Sequence, residues 1–169
     1  VSIALKIKNK IEYGVIFDPT RNDLYFASRG KGAFLNDRRI RVSKNYNLID
    51  ALIGTGFPFS ASKNIEIYSM ILKKLMPMTA GIRRPGAAAL DLASVASGRF
   101  DGFWEMGLKP WDIAAGSILL KEAGGLISDF SGDDKFLESG DVIAGNPKIF
   151  HQMSKFFEPY IKDLVKNKN

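Results

Sequence analysis

Apolar and polar residues alternate from the first position. Val1, Ile3, Leu5 and Ile7 stand against Ser2, Ala4, Lys6 and Lys8, the period of a β-strand. Asn9-Lys10 reads as a turn and residues 11–17 as the returning strand. Short strands are predicted over 24–28, 33–35 and 39–42, separated by Asp18-Pro19-Thr20-Arg21-Asn22-Asp23, Gly30-Lys31-Gly32 and Asn36-Asp37. Residues 1–42 therefore form an antiparallel meander. The period then changes. A buried strand over 51–55 leads into the irregular Gly56-Phe57-Pro58-Phe59. Ile67, Met70, Ile71 and Leu75 recur at helical spacing within a helix over 65–75. A strand follows at 78–82, then an alanine-rich helix over 86–97 that Gly98 ends. Residues 100–105 make a strand. Pro110 opens a helix that runs to Ala123, with Gly124-Gly125 beyond it. Strands at 126–128 and 142–144 precede a last helix capped by Asn146-Pro147, with Ile149, Phe150, Met153, Phe156 and Phe157 on its apolar face. Pro159 predicts a kink or restart there.

Strands alternating with helices over 50–165 predict a layered α/β half beside the meander, in one domain spanning 1–169. The first strand has no lead-in, so Val1 opens inside an element. This predicts that the domain is incomplete at its N-terminus. The polar, basic tail over 162–169 is expected to fray.

Composition narrows the chemistry. The chain has 169 residues, no cysteine and one histidine. Disulfides, Cys-ligated zinc, iron–sulfur clusters and thiol catalysis are excluded. His151 lies on the last helix, far in sequence from other candidates, and is expected at the surface or partly packed. No apolar run reaches the ~20 residues of a membrane span, and no leader pattern opens the chain, which predicts a cytoplasmic, non-membrane protein. The net charge is +6. Arg38, Arg39 and Arg41 cluster near a turn, but no aromatics interleave with them for base stacking, so nucleic acid is a weak candidate partner.

The richest stretch is 100–125. Glu105 ends a strand, where α/β sites form, and could equally be a solvated strand-end carboxylate. Asp112 sits in the first turn of the helix after Pro110-Trp111, facing free N–H groups and the positive dipole end. A carboxylate on a rigid helix start suits a hard cation, or it simply offsets the dipole. Gly86, Ala87 and Ala88 follow Arg83-Arg84-Pro85 at another helix start, where small residues allow close approach to an anion or tight helix packing. Asp91 is expected to pair with Arg or Lys, and Asp101 to be structural or exposed. Gly30-Lys31-Gly32 lacks the phosphate-loop pattern and is expected to make a hairpin turn.

Trp111-Asp112-Ile113-Ala114-Ala115-Gly116, then Glu122-Ala123-Gly124-Gly125 with Asp129 and Gly132, resembles the C-terminal signature of the inositol monophosphatase family. The likeness runs back through residues 98–105 and 86–92 to Gly30-Lys31-Gly32 and residues 13–19, and forward to Ala144-Gly145-Asn146-Pro147. It covers nearly the whole chain and is closest to a bacterial SuhB-type branch. The resemblance implies a layered α-β-α-β-α sugar-phosphatase fold lacking its N-terminal part. It implies Mg²⁺-dependent hydrolysis of inositol monophosphate or a related sugar phosphate by a homodimer. It makes Asp112 a metal ligand and Glu105 a binder of substrate hydroxyls. Gly86, Ala87 and Ala88 become substrate contacts, and Arg83 lies near that site or the dimer interface. The family's Asp-Pro-Ile/Leu-Asp-Gly-Thr motif and upstream acidic pair are not in this sequence; Asp18-Pro19-Thr20-Arg21 is not that motif. No catalytic residue is therefore expected in this chain, which is expected to be inactive alone. The alternative is a non-catalytic binding protein that uses its basic surface towards RNA or the transcription machinery.

Overall fold

The computed structural model describes residues 1–57 and 62–166. Pro58 and Phe59 of the expected irregular stretch, and the last three residues of the tail, lie outside them.

Five strands form the first sheet in chain order: β1 (Ser2–Ile7), β2 (Lys10–Asp18), β3 (Asp23–Ser28), β4 (Gly32–Leu35) and β5 (Arg38–Arg39), all antiparallel. The meander is as the alternation predicts, except at its end. The Ile40 amide still bonds Ala33 O at 2.9 Å, residues 41–42 leave the sheet, and the Val42 amide bonds Ala123 O at 3.2 Å. Gly30 and Gly32 take positive φ in the β3–β4 hairpin, and their amides donate to the two oxygens of Glu122 at 2.7 and 2.8 Å.

The second half contains β6 (Leu52–Thr55), α1 (Ser62–Leu75), β7 (Gly81–Arg83), α2 (Ala88–Ala96), β8 (Gly102–Glu105) and α3 (Pro110–Glu122). It ends with β9 (Leu126–Ser128), α4 (Phe136–Ser139), β10 (Val142–Gly145) and α5 (Pro147–Lys166). Its sheet has the order β7-β6-β8-β10-β9. β6 runs parallel to both β7 and β8, while β10 is antiparallel to its neighbours. Three edges differ from the periodicity. The stretch 76–78 is a 3₁₀ turn, and β7 starts only where Gly81 meets Leu52 of β6. α2 starts at Ala88, since Gly86 has φ +96° and is not helical. α5 continues through Pro159 rather than restarting. A proline forfeits one helix hydrogen bond, and the buried Ile149, Met153, Phe157 and Tyr160 hold the helix in place regardless.

Two cores follow from this order. One joins the first sheet to α2 and α3 and to one face of the second sheet, around Ile16, Tyr25, Leu92, Phe103, Ile113 and Leu119. The other joins the opposite face to α1 and α5, around Ile53, Ile71, Trp104, Ile143 and Phe157. The layers are thus β-α-β-α. The contacts are close: a Cβ on Gly116 of α3 would lie 2.5 Å from Leu92 Cβ of α2. Asp101, expected structural or exposed, is structural. It takes the Ser43 hydroxyl at 2.6 Å and the Leu52 amide at 2.7 Å, tying the connector to both β6 and the start of β8.

Candidate active site

β6 and β8 are adjacent and parallel, with Thr55 opposite Trp104. Both strands end in one place, the edge of an α/β sheet where a crevice opens. Gly56 and Phe57 follow β6, while Glu105 ends β8 and leads to Met106-Gly107-Leu108. The starts of α2 and α3 converge on the same point. Gly56, Phe57, Arg84, Gly86, Ala87, Ala88, Glu105 and Asp112 line a cleft of about 260 Å³ with residues 106–108. The start of α2 brings helix-N-terminal amides to it, a favourable setting for an anion.

Four of the expected substrate contacts, Glu105, Gly86, Ala87 and Ala88, therefore meet there, together with Asp112. Arg83 does not line this cleft; its Nη1 donates to its neighbour's carbonyl, Ile82 O, at 3.0 Å. Arg84 lines it, with its guanidinium 4.6 Å from the centre of the Phe57 ring. Neither Gly56 nor Phe57 was singled out from the sequence. The available signal was their place directly after the predicted 51–55 strand.

Asp112 Oδ2 accepts the Lys109 amide at 3.0 Å, which closes the first turn of α3 and leaves Oδ1 for a ligand. Glu105 is half-buried. Burial, then the charges of Asp91 and Asp112, push its carboxyl up to about 7, and Arg84 opposes them. Asp91 corrects an expectation. It is 1% exposed and makes no ion pair within 4 Å among the described residues, and neither oxygen completes a hydrogen bond. α2 carries it into the packed layer, where no cation comes within ion-pair distance among the described residues. Burial raises it to about 7, partly offset by the Ala87 amide and the Arg84 charge. His151 is exposed, as expected.

A hard cation needs oxygen donors, and Asp112 and Glu105 are the acids lining the cleft. Among the described residues no group of three or more such side chains could hold a metal.

The profile described as the inositol monophosphatase family matches residues 1–164. The chain belongs to the inositol monophosphatase family. Nus factor SuhB of Pseudomonas aeruginosa is 51% identical over 98% of this chain and 62% of its own length. The solved extragenic suppressor protein suhB of Bartonella henselae is 45% identical, with a TM-score of 0.89 over 92% of this chain and 60% of the other. The inositol monophosphate-bound SaIMPase-II, a staphylococcal IMPase-II, is 28% identical, with a TM-score of 0.88 over 98% and 65%. The layered α/β architecture is thus that of inositol monophosphatases. The chain spans about 62% of the length of the curated relatives it matches. Among the described residues no helix is long and apolar enough to cross a membrane.

Proposed function

We propose that the intact protein hydrolyses the phosphomonoester of inositol monophosphate or a related sugar phosphate, and that this chain carries the substrate-reading side of its site. The observation that carries this is the meeting of Glu105, Asp112 and two helix N-termini in one cleft. The amides around Gly86, Ala87 and Ala88 would donate to phosphate oxygens. The Glu105 carboxylate would accept hydrogen bonds from ring hydroxyls, a charge-assisted contact. Asp112 would be a Mg²⁺ ligand, and the ion, when bound, supplies charge stabilisation at the phosphate. The groups that activate water would come from outside these 169 residues, so the chain alone is inactive. Arg83, outside the cleft, is left for a subunit contact in a homodimer.

The test is Mg²⁺-dependent phosphate release from inositol 1-phosphate by the intact protein. Asp112→Asn is expected to lower kcat/KM about 100-fold, equivalent to about 2.7 kcal/mol of transition-state stabilisation. Undiminished turnover in that variant refutes the assignment.

A second reading is favoured by relatives in Pseudomonas aeruginosa, Salmonella typhimurium and Escherichia coli that are called Nus factors. In it the +6 surface binds RNA or the transcription machinery without catalysis. That reading requires binding that weakens steeply with salt and is indifferent to Asp112→Asn.

A further inference from the structure

Gly56 and Glu105 are a matched pair. The parallel register places Thr55 opposite Trp104, so the next residue of each strand brings Gly56 beside Glu105 at the strand ends. A Cβ on Gly56 would overlap Cδ and both oxygens of the Glu105 carboxyl. The carboxyl therefore occupies the very space that a side chain at position 56 would take.

Gly32 meets the Arg39 guanidinium on the outer hairpin, away from the cleft, and the close glycines of the core do not share this character. Gly14 faces Ile118 and the Ala115 carbonyl, Gly102 faces Met153, and Gly116 faces Leu92, all in packed core. There an added methyl strains the interior. At Gly56 the opposing atoms are the polar end of a flexible side chain bordering a cleft. The backbone is the stiffer partner. β6 holds Thr55 in the sheet, and the Phe57 ring is lodged between the Arg84 guanidinium at 4.6 Å and the Tyr68 ring at 5.7 Å. Tyr68 in turn packs on buried Trp104 at 5.0 Å. A methyl at position 56 moves the carboxyl, not the chain.

We infer that Gly56 is a positioning residue: its bare Cα is the seat that fixes where the Glu105 carboxyl meets substrate hydroxyls. This rests on the proposed reading of Glu105 as the hydroxyl binder. Selectivity for a polyol phosphate over a phosphate ester without ring hydroxyls then depends on a residue that touches no substrate itself.

The experiment compares Gly56→Ala, Glu105→Gln, Glu105→Asp and Gly56→Ala/Glu105→Asp in the intact protein. KM and kcat are read for inositol 1-phosphate and for p-nitrophenyl phosphate, with the thermal midpoint of each variant. Gly56→Ala is expected to raise KM for inositol 1-phosphate roughly 10- to 100-fold more than KM for p-nitrophenyl phosphate, the loss of one hydrogen bond to a charged group. Its thermal midpoint should match that of the parent. Adding Gly56→Ala to the shorter Glu105→Asp should cost much less than adding it to the parent, because the overlap is gone. If Glu105→Gln raises the inositol KM and Gly56→Ala does not, the inference is overturned and the reading of Glu105 stands. If Glu105→Gln leaves that KM unchanged, the reading of Glu105 falls and takes the inference with it. Equal losses on both substrates, or a lowered midpoint, also overturn the inference, since they mark general damage.

Discussion

At the scale of single residues, Asp91 is the costly one. Its two oxygens are buried without a completed hydrogen bond, so ionising it leaves a charge that the Ala87 amide and the Arg84 charge offset only in part. The folded state raises its pKa from 3.8 to about 7, with burial the leading cause. Between those values the folded chain binds more protons than the unfolded one, so stability falls as pH rises through this window. The contribution is complete below about 4 and lost by about 7 to 8. Asp91→Asn removes the titration while keeping the shape. Thermal midpoints measured from pH 5 to pH 8 should show the parent losing ground to Asp91→Asn as pH rises. Parallel curves would mean that the carboxyl finds a partner in the intact protein. The expected pairing with Arg or Lys is not made among the described residues. It failed because the helix phase that places Asp91 on the buried side of α2 is set by packing against α3.

At the scale of elements, what was legible tracks how much local chemistry each element carries. α3 was readable from Pro110 to Gly124 because both ends are marked by residues that cannot sit elsewhere. The start of α5 was readable from Asn146-Pro147. Asn146 Oδ1 accepts the amides of Lys148 and Ile149, both at 3.0 Å, while its Nδ2 donates to the Ser43 hydroxyl and Asn45 O. The strand expected at 78–82 appears as β7 with shifted bounds, and the four-residue α4 was not legible, since so few residues hold no periodicity and tertiary pairing decides them. The cleft was half legible: Glu105 and Asp112 carry chemistry in their side chains, whereas Gly56 carries it by having none. The Asn146 cap gives a direct check. Asn146→Ala should destabilise the protein by about 1–2 kcal/mol from the lost cap, read by chemical denaturation. Asn146→Asp keeps the cap acceptor but not the Nδ2 donations, and sets a second carboxylate near the Asp101–Ser43 pair. It should recover only part of the loss. Full recovery would mean that the bonds to the 43–45 connector contribute nothing.

At the scale of the molecule, the layers are unevenly covered. One face of the first sheet presents Gly14, Ile16, Tyr25 and Ala33 to α3 and its neighbours. The strand alternation sends the other residues outward. Register sets Ile3 beside Val15, Val15 beside Phe26, Phe26 beside Phe34, and Leu5 beside Tyr13 on that outer face. Phe26 and Phe34 stack there at 5.0 Å. Ile3 is 63% exposed, Leu5 50% and Tyr13 53%. So the period-two pattern of β1 correctly predicted a strand, but its apolar side is the one left open, and small Ser2 and Ala4 take the side near α3. No element among the described residues covers this face, while β1 also ends the sheet with an unpaired edge. A contiguous apolar face beside a free strand edge favours pairing with other chains. The 169-residue chain expressed by itself is therefore expected to bind an apolar dye such as ANS and to sediment as concentration-dependent oligomers. Placing Lys at Ile3 and Leu5 adds charges to both the face and its edge strand. Because these residues are exposed, the pair of changes should suppress association while far-ultraviolet circular dichroism holds. A monomeric parent chain that ignores the dye would show that the face is closed by a rearrangement of the first sheet itself.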